Sequence, residues 1–142
     1  MKLFNFFRLE SNEKMVCFQS LYWLLYFRVR LHNIPFNSLI QKANNKSAQY
    51  ILKCKPTNLT VDRAVWLFDR VSDFVPGATC LVRSLAGKIV FALNGYGPTL
   101  VIGVNKDDSN AILSHAWLEY DGAIIIGRLE DSDQYLQITK FG

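Results

Sequence analysis

Pro76-Gly77-Ala78-Thr79-Cys80-Leu81-Val82-Arg83-Ser84-Leu85-Ala86 sets a thiol at a helix start. Pro76-Gly77 interrupts the pattern before it, and Thr79 is a good N-cap. Leu81, Leu85, Ile89 and Leu93 then recur at steps of four, so one helical face is apolar until Asn94-Gly95 ends it. Cys80 therefore falls in the first turn. Unpaired N–H groups and the helix dipole favour negative charge there, and hence the thiolate. Arg83, one turn along, adds positive charge. The plain alternative is a buried structural cysteine. Cys17 lies inside an apolar helical stretch and reads as core, whereas Cys54 reads as incidental.

Working outward toward the N-terminus, Thr60 caps a helix whose Val61, Val65, Phe68 and Val71 share a face through Phe74. Asn45 to Leu59 is mostly polar, contains Pro56 and reads as irregular. Ser11-Asn12-Glu13 starts a helix that runs to about His32, where Pro35 follows, and a shorter helix covers Asn37–Asn44. This predicts an N-terminal helical segment over 1–45, a linker over 46–59 and a catalytic core over 60–142. Val16 to Phe27 is the most apolar run, but it includes Gln19 and Ser20 and falls short of the roughly 20 residues of a spanning helix.

After Gly97-Pro98 the period changes to that of strands. Thr99–Val104 and Ala111–Tyr120 read as strands, Asp121-Gly122 as a tight turn, Ala123–Ile126 as the return, and Gln134–Thr139 as a last strand. Helices first and an antiparallel sheet after them make an α+β fold.

The second chemical element lies in that sheet. Alternation puts His115, Trp117 and Glu119 on one face of their strand, and Ala116, Leu118 and Tyr120 on the other. An imidazole on a strand beside a thiolate at a helix start is how Cys-His hydrolases place base and nucleophile. Trp117 either shields such a pair or packs the sheet. A carboxylate that orients His115 is expected as well. Asp121, Glu130 and Asp131 are the candidates, with Asp133 behind them; Asp121 doubles as a turn residue. Glu119 points alongside the histidine, not toward it, and a Cys-His dyad alone is a further possibility.

Composition excludes several other classes. The 142 residues carry a net charge of +4 without any basic run interleaved with aromatics, so a nucleic-acid surface is not expected. Three widely spaced cysteines and two histidines make neither a zinc set nor a disulfide framework. No metal or organic cofactor is indicated. No secretory signal pattern opens the chain, which points to reduced thiols in the cytoplasm.

Three blocks in order carry a resemblance: Cys80-Leu81-Val82-Arg83-Ser84-Leu85, then Ile102-Gly103-Val104, then His115-Ala116-Trp117-Leu118-Glu119-Tyr120-Asp121-Gly122. Over about Asp62 to Arg128 the chain resembles the lasso-peptide leader peptidases, the transglutaminase-like half of the lasso maturation system. The resemblance implies a transglutaminase/papain-like fold with the nucleophile helix packed on an antiparallel sheet. It implies Cys80 as nucleophile and His115 as general base, with Trp117 and Arg83 near the substrate. The implied substrate is a ribosomally made precursor peptide, cut at its leader–core junction. The implied partners are a small leader-binding recognition protein and a separate ATP-dependent macrolactam cyclase. Phe4, Phe6, Phe7 and Tyr22–Phe27 are candidates for the recognition protein's docking patch, or else for packing onto the core. The chain departs from the family pattern in one place. Many members carry Asn-Asp 11 and 12 residues past the histidine, where this chain has Ile126 and Gly127. Two competing readings remain: another Cys-His hydrolase or acyl transferase, and a peptide-binding scaffold without chemistry, against which the intact Cys-His pair argues.

Overall fold

A computed structural model describes residues 8–53, 59–106, 109, 111–127 and 136–141. Its elements are α1 (Ser11–Arg30), α2 (Phe36–Lys53), α3 (Val61–Phe74), α4 (Cys80–Leu93), β1 (Thr99–Lys106), β2 (Ile112–Tyr120), β3 (Ala123–Ile126) and β4 (Leu136–Phe141). The strands form one antiparallel sheet in the order β3-β2-β1-β4. The expected α+β class is present.

Helix α4 is central, against α1 and α2 on one side and β2 on the other. Its apolar stripe explains this: Leu85, Ile89 and Phe91 are fully buried, and they share a core with Phe27, Leu39, Phe68, Leu100 and Leu118. Gly87 allows the close approach to the sheet, since a Cβ there would lie 2.8 Å from Leu118 Cδ1. The helix ends as Asn94-Gly95 suggests. Gly95 takes φ 90°, its N–H bonds Ala92 O, and the Tyr96 N–H bonds Phe91 O at 2.8 Å, which is a Schellman closure. The β2–β3 turn is also as expected. Asp121 and Gly122 both have positive φ, the requirement of a two-residue hairpin loop of this hand.

The expected linker is corrected. Helix α2 does not stop at Asn44 but continues to Lys53. Leu39, Ile40, Ala43 and Ser47 form its buried stripe, and the polar Asn45, Lys46 and Gln49 between them occupy its outer face. Polar residues on an amphipathic face imitate a loop in sequence. Both N-terminal helices thus join the same core as α3 and α4. Helix α1 buries Val16, Trp23, Leu24 and Phe27, and leaves Met15, Phe18, Tyr22, Leu25 and Val29 exposed on its opposite face. No described helix is long and apolar enough to cross a membrane.

One core residue is a lysine. Lys88 on α4 is only 1% exposed, and its Nζ donates to Pro98 O at 2.9 Å. Burial pushes its pKa down to about 8 from an ordinary 10.5. Between those values the unfolded chain binds a proton that the fold does not, so stability rises with pH from about 8 to about 10.5. A difference of that size is worth roughly 3 kcal/mol. Denaturant titrations across this window are expected to show the rise in the wild type and its loss in Lys88→Met. Equal slopes in the two proteins would refute the assignment.

Candidate active site

The loop between α3 and α4 fixes where the thiol sits. Thr79 caps α4: its side chain accepts from the Val82 N–H at 3.4 Å, and its carbonyl accepts from the Arg83 N–H at 2.9 Å. Of the first-turn donors, the Cys80 and Leu81 N–H groups have no acceptor among the described residues, which suits them to hold a ligand oxygen. Arg83 Nε donates to Ala78 O at 2.9 Å and its Nη2 lies 3.7 Å from Asp73, so it braces the loop that presents Cys80. Gly77 in the same loop has φ 76° and lies against the Arg28 guanidinium of α1.

Cys80 and His115 line one small cleft of about 90 Å³. Phe36, Leu81 and Ile102 supply apolar walls, with Ser114 and Ala116 beside the histidine. Cys80 makes no hydrogen bond among the described residues, and a thiol–imidazole contact of this kind commonly tightens only when substrate is bound. Gly103 is the cross-strand neighbour of His115 on β1, so no side chain crowds the imidazole from that position.

The imidazole is held on its other side. His115 Nε2 lies 2.5 Å from the carbonyl oxygen of Gly127. A carbonyl can only accept, so Nε2 is the N–H donor, and in the neutral ring Nδ1 is the basic nitrogen. Gly127 follows directly on β3 and has φ 85°. Its approach is tight: a Cβ would stand 2.9 Å from Ala116 O and 3.2 Å from Trp117 Cα. This is the position 12 residues past the histidine where the family pattern has an acid. Here a backbone carbonyl from the same place reaches the ring.

The alternation expected for β2 holds. Trp117 stacks on His115 with ring centroids 6.0 Å apart at 27°, and its Nε1–H donates to Glu119 Oε1 at 3.0 Å. Trp117 is 1% exposed and shields the imidazole as a buried ring. Asp121 is a correction. It is an exposed turn residue six positions along β2 from His115, or about 20 Å at strand rise, and the turn's geometry is its role. Glu130 and Asp131 lie outside the described residues. Gly127 was missed by sequence reasoning; its only signal was a glycine closing the Ile124-Ile125-Ile126 run.

The other thiol with a described setting is unsuited to chemistry. Cys17 is buried in α1, and burial pushes its thiol pKa up, with the Glu13 carboxylate adding to the effect. Among the described residues, no group of three or more His, Cys, Asp or Glu is placed to hold a metal ion.

No curated protein and no solved structure matches the chain. The family comparison does match, and it spans the helices and the sheet that build the Cys80–His115 cleft: residues 21–140 fit the model of the transglutaminase-like superfamily. A helix-borne thiol facing a strand-borne histidine supports cysteine-hydrolase or acyl-transfer chemistry, and on the match over most of its length the chain belongs to the transglutaminase-like superfamily.

Proposed function

We propose that this protein is a cysteine peptidase that releases the leader from a ribosomally made lasso precursor peptide. The observation that carries the reading is the cleft shared by Cys80, at the start of α4, and His115, on β2. Each of the three sequence blocks that resemble the leader peptidases contributes to that cleft, through Cys80 and Leu81, Ile102, and His115 and Ala116, and membership of the transglutaminase-like superfamily supports cysteine-hydrolase or acyl-transfer chemistry there.

The Cys80 thiolate attacks the carbonyl at the leader–core junction, and the Cys80 and Leu81 N–H groups stabilise the oxyanion. His115 Nδ1 takes the thiol proton as the thiolate forms and then gives that proton to the leaving amine. It then takes a proton from water as the thioester is hydrolysed. Gly127 O holds the ring in the required tautomer throughout, and Glu130 or Asp131 remains a candidate to assist it. A small recognition protein delivers the leader, and we assign it the exposed face of α1. Met15, Phe18, Tyr22, Leu25 and Val29 recur there at three- and four-residue steps, the spacing a helical partner reads.

The test incubates precursor peptide and recognition protein with the wild type, Cys80→Ala and His115→Ala. Mass spectrometry should find free leader and core only with the wild type. Transfer of the acyl group to an added amine, without hydrolysis, would instead favour an acyl transferase.

A further inference from the structure

The apolar stripe of α2 runs on past the edge of the core. Phe36, Leu39, Ile40, Ala43 and Ser47 share one face of the helix, and the last four are buried. Phe36, in the first turn, is 44% exposed. The stripe carries it beyond the packed core to the Cys80 end of α4, where it lines the active-site cleft. Sequence reasoning gave this residue no part in the site, because it lies 44 positions before the thiol.

Three elements therefore meet beside Cys80: Phe36 of α2, Leu81 of α4 and Ile102 of β1. Leu81 and Ile102 pack against the core but keep part of their surface open. Among the described residues, no charged side chain lines this cleft. An aromatic ring left half in water gains by being covered with apolar surface. Any acyl group that reaches Cys80 enters the same cleft, so a side chain next to that acyl group is what covers the ring. A charged side chain would lose its hydration there without meeting a partner. Size is limited as well. An apolar cavity of about 150 Å³ takes up benzene, so a cleft of about 90 Å³ suits a side chain of about three or four carbons.

We propose that the cleft is a specificity subsite for one short aliphatic side chain beside the scissile bond, with Phe36 as the residue that sets its size. The proposal rests on the peptidase reading above.

Internally quenched peptides that span the leader–core junction test it, with the recognition protein present. They are varied to Ala, Val, Phe, Asp or Lys at each of two positions on either side of the scissile bond. At one position the wild type should favour Val over Phe, Asp and Lys by about tenfold or more in kcat/KM. Phe36→Ala opens the wall and should lower the Val-to-Phe ratio at that position by about tenfold. Ratios within one variant are unaffected by losses common to all peptides, and thermal melts establish that the variant is folded. Should Phe36→Ala fail to fold, Phe36→Trp takes its place: it narrows the cleft and should lower the Val-to-Ala ratio by a similar factor. Cleavage with no aliphatic preference at any position, or a ratio that stays put in the folded variant, would overturn the subsite. Should the wild type cleave none of the peptides, the peptidase reading fails first. The same library on an array is then probed with wild type and the folded variant. Binding enriched for Val at one position, and shifted in the variant as above, would uphold the subsite; enrichment that is absent or unmoved would overturn it.

Discussion

If the proposed peptidase reading holds, Cys80→Ala is expected to lower kcat/KM for leader release by at least about 10⁴-fold, since Cys80 is the group that forms the thioester. His115→Ala is expected to do nearly as much, and the double variant little more, because nucleophile and base act as a unit. The fold should survive the first change. Cys80 is half-buried at the first position of α4, alanine suits a helix start, and Thr79 still caps the helix. The melting temperature should therefore stay within a few degrees of the wild type. Alkylation offers an independent check. Iodoacetamide should label Cys80 well before Cys17, which is buried and whose thiolate is disfavoured. Full activity in folded Cys80→Ala would end the cysteine mechanism.

Gly127→Ala is expected to be the most damaging change outside the Cys80–His115 pair, although it adds a single methyl group. The residue holds φ 85°, and the new Cβ would meet Ala116 O at 2.9 Å and Trp117 Cβ at 3.2 Å. Backbone and a buried ring cannot yield cheaply, so the glycine itself must move. Its carbonyl then leaves His115 Nε2, and the imidazole loses both its tautomer and its aim. A displacement near 1 Å at such a point costs about 10²-fold in rate, beside a strain of roughly 1–3 kcal/mol in stability. Substrate contacts are spared, so kcat should fall while KM changes little. That split separates lost positioning from general damage. Wild-type kcat in a folded Gly127→Ala protein would show that the carbonyl does not orient the base.

Much of the framework was legible because it is encoded locally. Thr79 before Leu81 marked the start of α4, and Asn94-Gly95 marked its end. Asp121-Gly122 marked the hairpin because two successive positive φ angles need such residues. Helix α2 was read short because Asn45, Lys46 and Gln49 are polar whether they cover a helix face or fill a loop. The buried Ala43 and Ser47 that settle the matter are small, and they carry little hydrophobic signal.

The sequence alone determined that a thiol stands at a helix start and an imidazole on a strand, since each depends on capping and alternation within a few residues. Only the tertiary structure decided what holds the imidazole. The partner is the backbone carbonyl of Gly127, a group that every residue possesses, so no residue type announces it. The pairing of β2 with β3 brings it to the ring.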